Sequence, residues 1–223
     1  MNRKNQGVEE GNIIAISRLG FSAEHWCLFF GQEPKFHQGH IELPTSHRFQ
    51  YMHLQPEILY FDGNRWIPSQ AYFEYNFSDI VSKDKKVYIF QSSVDALAYF
   101  QIKSMDGTNA TFFALGKNPD KALIRYLKEL FHYAKFILCF PRGLMSTVSE
   151  IITVGFLANE QLTLEINADV LLCSYRGKKE QIPIDILSWS NVSKQIGFYP
   201  KNVKTLKPPK GHKSFYDLIR SLR

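Results

Sequence analysis

The chain has 223 residues, of which 44% are hydrophobic and 22% charged; this is a globular composition with enough length for one large domain or two small ones. Its 27 Lys and Arg outnumber 21 Asp and Glu to leave a net charge of +6, which favours an anionic partner such as nucleic acid. Three widely spaced cysteines, Cys27, Cys139 and Cys173, exclude a disulfide framework; with no apolar signal core at the start and no run of membrane-spanning length, they point to a cytoplasmic protein without a membrane partner.

The first twelve residues are polar and read as loose. IIAISRLGF and HWCLFF are compatible with short helical or strand pieces. FQYMHL and EILYFDGNRWIPSQAYFEY read as strands, the latter folded about a hairpin turn at Asp62-Gly63-Asn64. Residues 1–82 are therefore expected to form a small α+β or β-rich N-terminal domain. Cys27, His37, His40, His47 and His53 fall in this part, but their spacing matches no zinc pattern, and no metal is assigned.

KDKK at 83–86 is a charged boundary, and an α/β domain over 83–223 follows. KVYIF, TFFALG and KFILCF are continuous apolar runs, as expected of strands covered on both faces of a parallel sheet. Between them, QSSVDALAYF and KALIRYLKELF carry helical spacing. Val94, Leu97, Ala98 and Ile102 share one face, and Leu123, Ile124, Leu127, Leu130 and Phe131 share another. Ser92 is placed to cap the first helix with Asp95 answering from the third position. A further helix is expected from Gly143 to Asn159. LTLEI, DVLLCSY and EQIPIDIL then suggest a β meander turning at Arg176-Gly177-Lys178, a β-rich insertion at about 160–200. The chain closes on a helix over SFYDLIRSLR.

A strand, then Gln91-Ser92-Ser93-Val94-Asp95-Ala96-Leu97, a strand ending at Gly116, a helix, and a strand ending at Phe140-Pro141-Arg142 together resemble the Toprim domain of primases, topoisomerases and mobile-element proteins. Gly211-His212-Lys213-Ser214-Phe215-Tyr216-Asp217-Leu218 is similar to the closing motif of Toprim-like proteins from plasmids and transposons. The resemblance covers about residues 86–143 and 203–219. It implies a Toprim-like, Rossmann-like βαβαβ fold with a mostly parallel sheet. The family-equivalent site positions are Gln91, Ser92, Asp95, Gly116 and Arg142.

At two of these the chain departs from the family. The family glutamate, a general acid or base, is replaced by Gln91, whose amide cannot exchange a proton near neutral pH. The metal-binding Asp-x-Asp is replaced by Phe140-Pro141-Arg142, or by Leu138-Cys139-Phe140 in a shifted register. Neither offers the carboxylates that magnesium prefers. No catalytic residue, metal or other cofactor is therefore assigned. Arg142 either contacts phosphate directly, for which its fork is suited, or faces solvent or pairs with Glu150.

Lys201, Lys204, Lys207, Lys210 and Lys213 recur every third residue around Pro208-Pro209. In a polyproline II stretch they would line one side and track a phosphate backbone. With Arg142 they form the nucleic-acid-binding set, and Phe198 and Tyr199 are nearby rings that either stack on bases or fill the core. The expected function is non-catalytic binding of nucleic acid, DNA in the first place, or of a replication or mobilisation protein. The alternatives are a magnesium-dependent nucleotidyl transferase or nuclease-like enzyme using Asp95, Glu150 and Asp217, and a protein–protein interaction module.

Overall fold

The computed structural model describes residues 16–30, 35–37, 40–42, 58–61, 66–68, 73–76, 86–104 and 110–222. The expected FQYMHL strand, the Asp62-Gly63-Asn64 turn, residues 83–85 and the first twelve residues lie outside these, as do His47 and His53.

Helix α1 (Ala23–Phe30) resolves HWCLFF as helical. Strands β1 (Lys35–His37), β2 (His40–Glu42), β3 (Ile58–Phe61) and β4 (Trp66–Pro68) pair antiparallel in sequence order. Phe61 pairs with Trp66, so the expected hairpin joins β3 to β4. Next come β5 (Phe73–Asn76), β6 (Lys86–Phe90), α2 (Ser93–Lys103), β7 (Ala110–Ala114), α3 (Lys121–Leu130), β8 (Lys135–Leu138) and α4 (Leu144–Leu157). The meander expected at 160–200 is β9 (Thr163–Asn167), β10 (Val170–Tyr175) and β11 (Lys178–Pro183), followed by α5 (Trp189–Ile196). Its second turn is the two residues Arg176 and Gly177, both at positive φ (48° and 83°) between the paired Tyr175 and Lys178. Two left-handed residues match the strand twist in such a tight hairpin. Strand β12 (Val203–Thr205) and helix α6 (Phe215–Ser221) complete the chain.

The central sheet has the order β12-β8-β6-β7-β5, with β12, β8, β6 and β7 parallel and β5 antiparallel to β7. Side chains of its middle strands alternate between two buried faces. Val87, Ile89, Phe113, Leu115, Phe136, Leu138 and Phe140 enter the core shared with α3, α4, the meander and α5. Tyr88, Phe90, Phe112, Ala114 and Cys139 enter the core shared with α1, α2 and α6. This two-sided burial is why the strands read as unbroken apolar runs.

Helix α2 departs from the one-sided pattern expected of it, since every residue from Ser93 to Phe100 is buried. The sheet covers one side, and α1 and α6 cover the other. Phe29 of α1 lies 5.3 Å from the rings of both Phe100 and Phe112, and Phe21 stacks on Tyr216 at 5.7 Å. Much of the unusual aromatic content is used here. The boundary expected at 82/83 falls between two strands of one sheet, because β5 pairs with β7, and α1 shares its core with α2. Among the described residues no helix is long and apolar enough to cross a membrane.

Candidate functional site

Strand β6 leads through α2 to β7 on one side, whereas β8 lies on the other side of β6. The crevice beyond the carboxyl ends of β6 and β8 is therefore the topological switch point, where open α/β sheets bind ligands. The two ends adjoin: Ile89 pairs with Leu138, and the Cys139 amide donates to the Ile89 carbonyl at 2.7 Å. Gln91 and Phe140-Pro141-Arg142 leave the sheet at this point. Gly116, just beyond β7, has φ +73°, a left-handed turn that a side chain resists.

Gln91 is held across the crevice, where Ser146 in the first turn of α4 donates to its Oε1 at 2.9 Å. Ser92 caps α2 as expected, its Oγ accepting from the Asp95 amide at 3.2 Å. Asp95 reaches further than a local cap. One of its oxygens accepts from Ser92 Oγ at 3.1 Å, and the other accepts from the Tyr216 amide at 2.9 Å. This buried carboxylate thus joins the amino ends of α2 and α6. Burial raises its pKa, while bonds from Tyr216, Ser214, Ser92 and Phe215 act to lower it.

Arg142 and Glu150 do not pair. The Arg142 guanidinium donates through Nε (3.2 Å) and Nη2 (2.7 Å) to the Pro208 carbonyl, and its backbone amide donates to the Lys213 carbonyl. The exposed guanidinium is thereby held at the rim of the crevice. Glu150 is fully buried in α4, and its counter-ion is Lys207, whose Nζ lies 3.0 Å from Oε2. Lys207 also donates to the carbonyls of Phe140 (3.4 Å) and Pro141 (3.2 Å). No other donor reaches either Glu150 oxygen among the described residues. Burial raises the Glu150 pKa, and Lys207 acts to lower it.

The five lysines do not follow one polyproline II stretch. Lys201 lies in a turn, Lys204 in edge strand β12, and Lys210 in a second turn. β12 forms because its residues pair with Phe136–Leu138. Lys207 turns inward to Glu150, while Lys201, Lys204, Lys210 and Lys213 are exposed. Arg142 contacts the Lys213 carbonyl and the Pro208 carbonyl, two residues before Lys210, whereas Lys201 precedes β12 at the opposite end of the edge. Phe198 is buried and stacks on Tyr175 at 5.0 Å, so it fills the core, but Tyr199 is exposed.

Asp217, the third acid of the enzyme alternative, sits in the first turn of α6. Its amide donates to the cap Ser214, and its Oδ2 accepts from the Lys213 amide at 2.9 Å. Sequence reasoning missed the Lys207–Glu150 pair and the Ser146–Gln91 bond. Both span more than 50 residues, and a lone buried acid in an apolar helix, Glu150, was their single legible sign.

The parallel sheet and its switch point define a Toprim-like α/β fold. A solved structure of the primase fragment of the bacteriophage T7 primase-helicase protein superposes with a TM-score of 0.53 at 12% identity, over 92% of this chain and 67% of that one. At that identity the likeness is one of fold. No family model matches the sequence, and no curated protein matches it.

Proposed function

We propose that the protein is a non-catalytic, Toprim-like binder of nucleic acid, acting in a DNA-processing setting such as replication, priming or mobilisation. The carrying observation is how charge is distributed at the switch point. Of its nearby acids, Asp95 and Glu150 are buried in internal contacts and Asp217, though exposed, accepts from the Lys213 amide, while Arg142, Lys210 and Lys213 are exposed. A crevice so arranged attracts phosphate and offers little to a divalent cation. Lys201 and Lys204 extend the positive character along the β12 edge. The fold likeness to a primase fragment supports the same setting.

Anisotropy titrations of labelled single- and double-stranded DNA at two salt concentrations test this reading. Binding should weaken with salt, and Arg142→Ala should reduce the slope of log affinity against log salt by about 0.7–0.9, one phosphate's worth. Binding insensitive to salt and to Arg142→Ala removes the proposal. Magnesium-dependent strand synthesis or cleavage replaces it with the enzyme reading. A stable complex with a replication or relaxase protein and no DNA binding replaces it with the interaction module.

A further inference from the structure

Away from the strand ends, α3 borders a groove of about 490 Å³ whose opposite wall is the carboxyl end of α4 and the chain after it. One face of α3 supplies Lys121, Arg125 and Lys128, and His132 in the turn just beyond Leu130 continues the row, at steps of four, three and four residues. Such spacing stacks side chains in a single row, and the apolar face of α3 (Leu123, Ile124, Leu127) is buried against the sheet. The other wall offers Phe156, with Lys121 Nζ 5.8 Å from its ring centre, and the amides of Asn159 and Gln161.

None of Lys121, Arg125 and Lys128 is paired with a carboxylate among the described residues. Lys128 is partly desolvated, which lowers its pKa and leaves a charge in want of a counter-ion. Of the two acids in the lining, Glu160 is already paired with Arg176, so Glu129 alone opposes three fixed cations.

We propose that this groove is a second nucleic-acid contact, taking the phosphodiester backbone of a single strand along α3. It rests on the reading of the chain as a nucleic-acid binder and adds a face to it. Length selects a strand over a free nucleotide. The three cations from Lys121 to Lys128 advance about 10 Å along the ten-residue helix, a row longer than the phosphate run of one triphosphate. Rings select a single strand, because Phe156 lines the groove and Tyr133, 57% exposed, follows His132 at the end of the row. Unpaired bases stack on such rings.

The test uses the full chain and a labelled 20-nucleotide single strand at 50 and 200 mM salt. The groove variant is K121Q/R125Q/K128Q, and a rim variant, R142Q/K210Q/K213Q, is titrated beside it. Three phosphate contacts at about 0.7 each reduce the salt slope by about 2, so the groove variant's affinity should fall roughly 20-fold less than wild type over this range. A 5-bromouracil strand should crosslink to the peptide carrying residues 121–133. An unchanged slope in the groove variant overturns the inference, and loss in the rim variant alone leaves the rim reading standing. A wild-type chain that binds no strand overturns both. Competition by free nucleoside triphosphate as effective, per phosphate, as the strand overturns it in favour of a nucleotide site. A duplex bound as tightly as the single strand overturns the assignment to single strands.

Discussion

Lys207→Met isolates the ion pair beneath the crevice. The Glu150 side chain has no exposed surface, and its sole counter-ion among the described residues is Lys207, whose side chain is 23% exposed. Removing one partner of a buried pair costs about 3–5 kcal/mol, because a charge is left in the core. For a chain of this size that is a drop of roughly 6–20 °C in Tm. Glu150→Gln should cost less, about 1–2 kcal/mol, since Lys207 keeps two carbonyls and access to water. The double variant E150L/K207M should recover most of the loss, as apolar replacements of buried pairs do. Urea denaturation of wild type, Lys207→Met, Glu150→Leu and the double variant completes the cycle, with Glu150→Gln measured beside it. The pH response of Lys207→Met carries a sign. Burial already raises the Glu150 pKa in the folded chain, and losing Lys207 raises it further. The folded variant then holds a proton that the unfolded chain releases near pH 4.3. Its stability should therefore fall as pH rises from about 4 through the raised native value. If Lys207→Met costs no more than Glu150→Gln, and its stability does not fall across that window, Glu150 is not the buried anion described here.

Asp95→Ala should destabilise by about 1–3 kcal/mol, since it strands the part-buried Tyr216 amide and loosens α6 from α2; a loss under 1 kcal/mol in denaturant melts contradicts the staple. Gly20→Ala should lower Tm, because Gly20 has φ +101° and an added Cβ would meet Ile219 Cγ2 at 2.8 Å; an unchanged melt refutes the close approach of this turn to α6. Gln91→Glu keeps the acceptor for Ser146 and so should fold, yet calorimetry should show no magnesium binding, because the β8 end still lacks carboxylates. Micromolar magnesium binding by that variant would mean that acids elsewhere complete the site.

What the sequence made legible follows from local chemistry. Val87, Tyr88, Ile89 and Phe90 read as one apolar run, and each does enter a core, alternately above and below the sheet. Ser92 carries a cap within three residues, and the structure forms it. Contacts between distant segments were not legible. Asp95 looked like a local cap partner because the Tyr216 amide it serves lies 121 residues away. Period-three lysines suggested polyproline II, but the hydrogen bonds of β8 recruit Val203–Thr205 into the sheet and break the row. Helix α2 showed apolar spacing on one face, yet its other face is covered by α1 and α6, segments before and after the α/β unit.

Glu150 was one of the alternatives for Arg142, beside phosphate and solvent, but its cation is Lys207, and that exchange explains the crevice. Two positive side chains approach the β8 end, and their chemistry separates them. A lysine ammonium is a point charge on a flexible stem, so Lys207 can bend inward to one carboxylate and two carbonyls. Arginine has a planar fork, and Arg142 places two donors on the Pro208 carbonyl while its guanidinium stays at the surface. The inner cation thus neutralises the acid that would otherwise oppose an anion at the rim. This makes the two residues energetically linked. Lys207→Met should reduce stability and, at pH above the raised Glu150 value where the acid is ionised, also weaken phosphate binding through Arg142 in DNA titrations, because an uncompensated Glu150 then acts against the incoming charge.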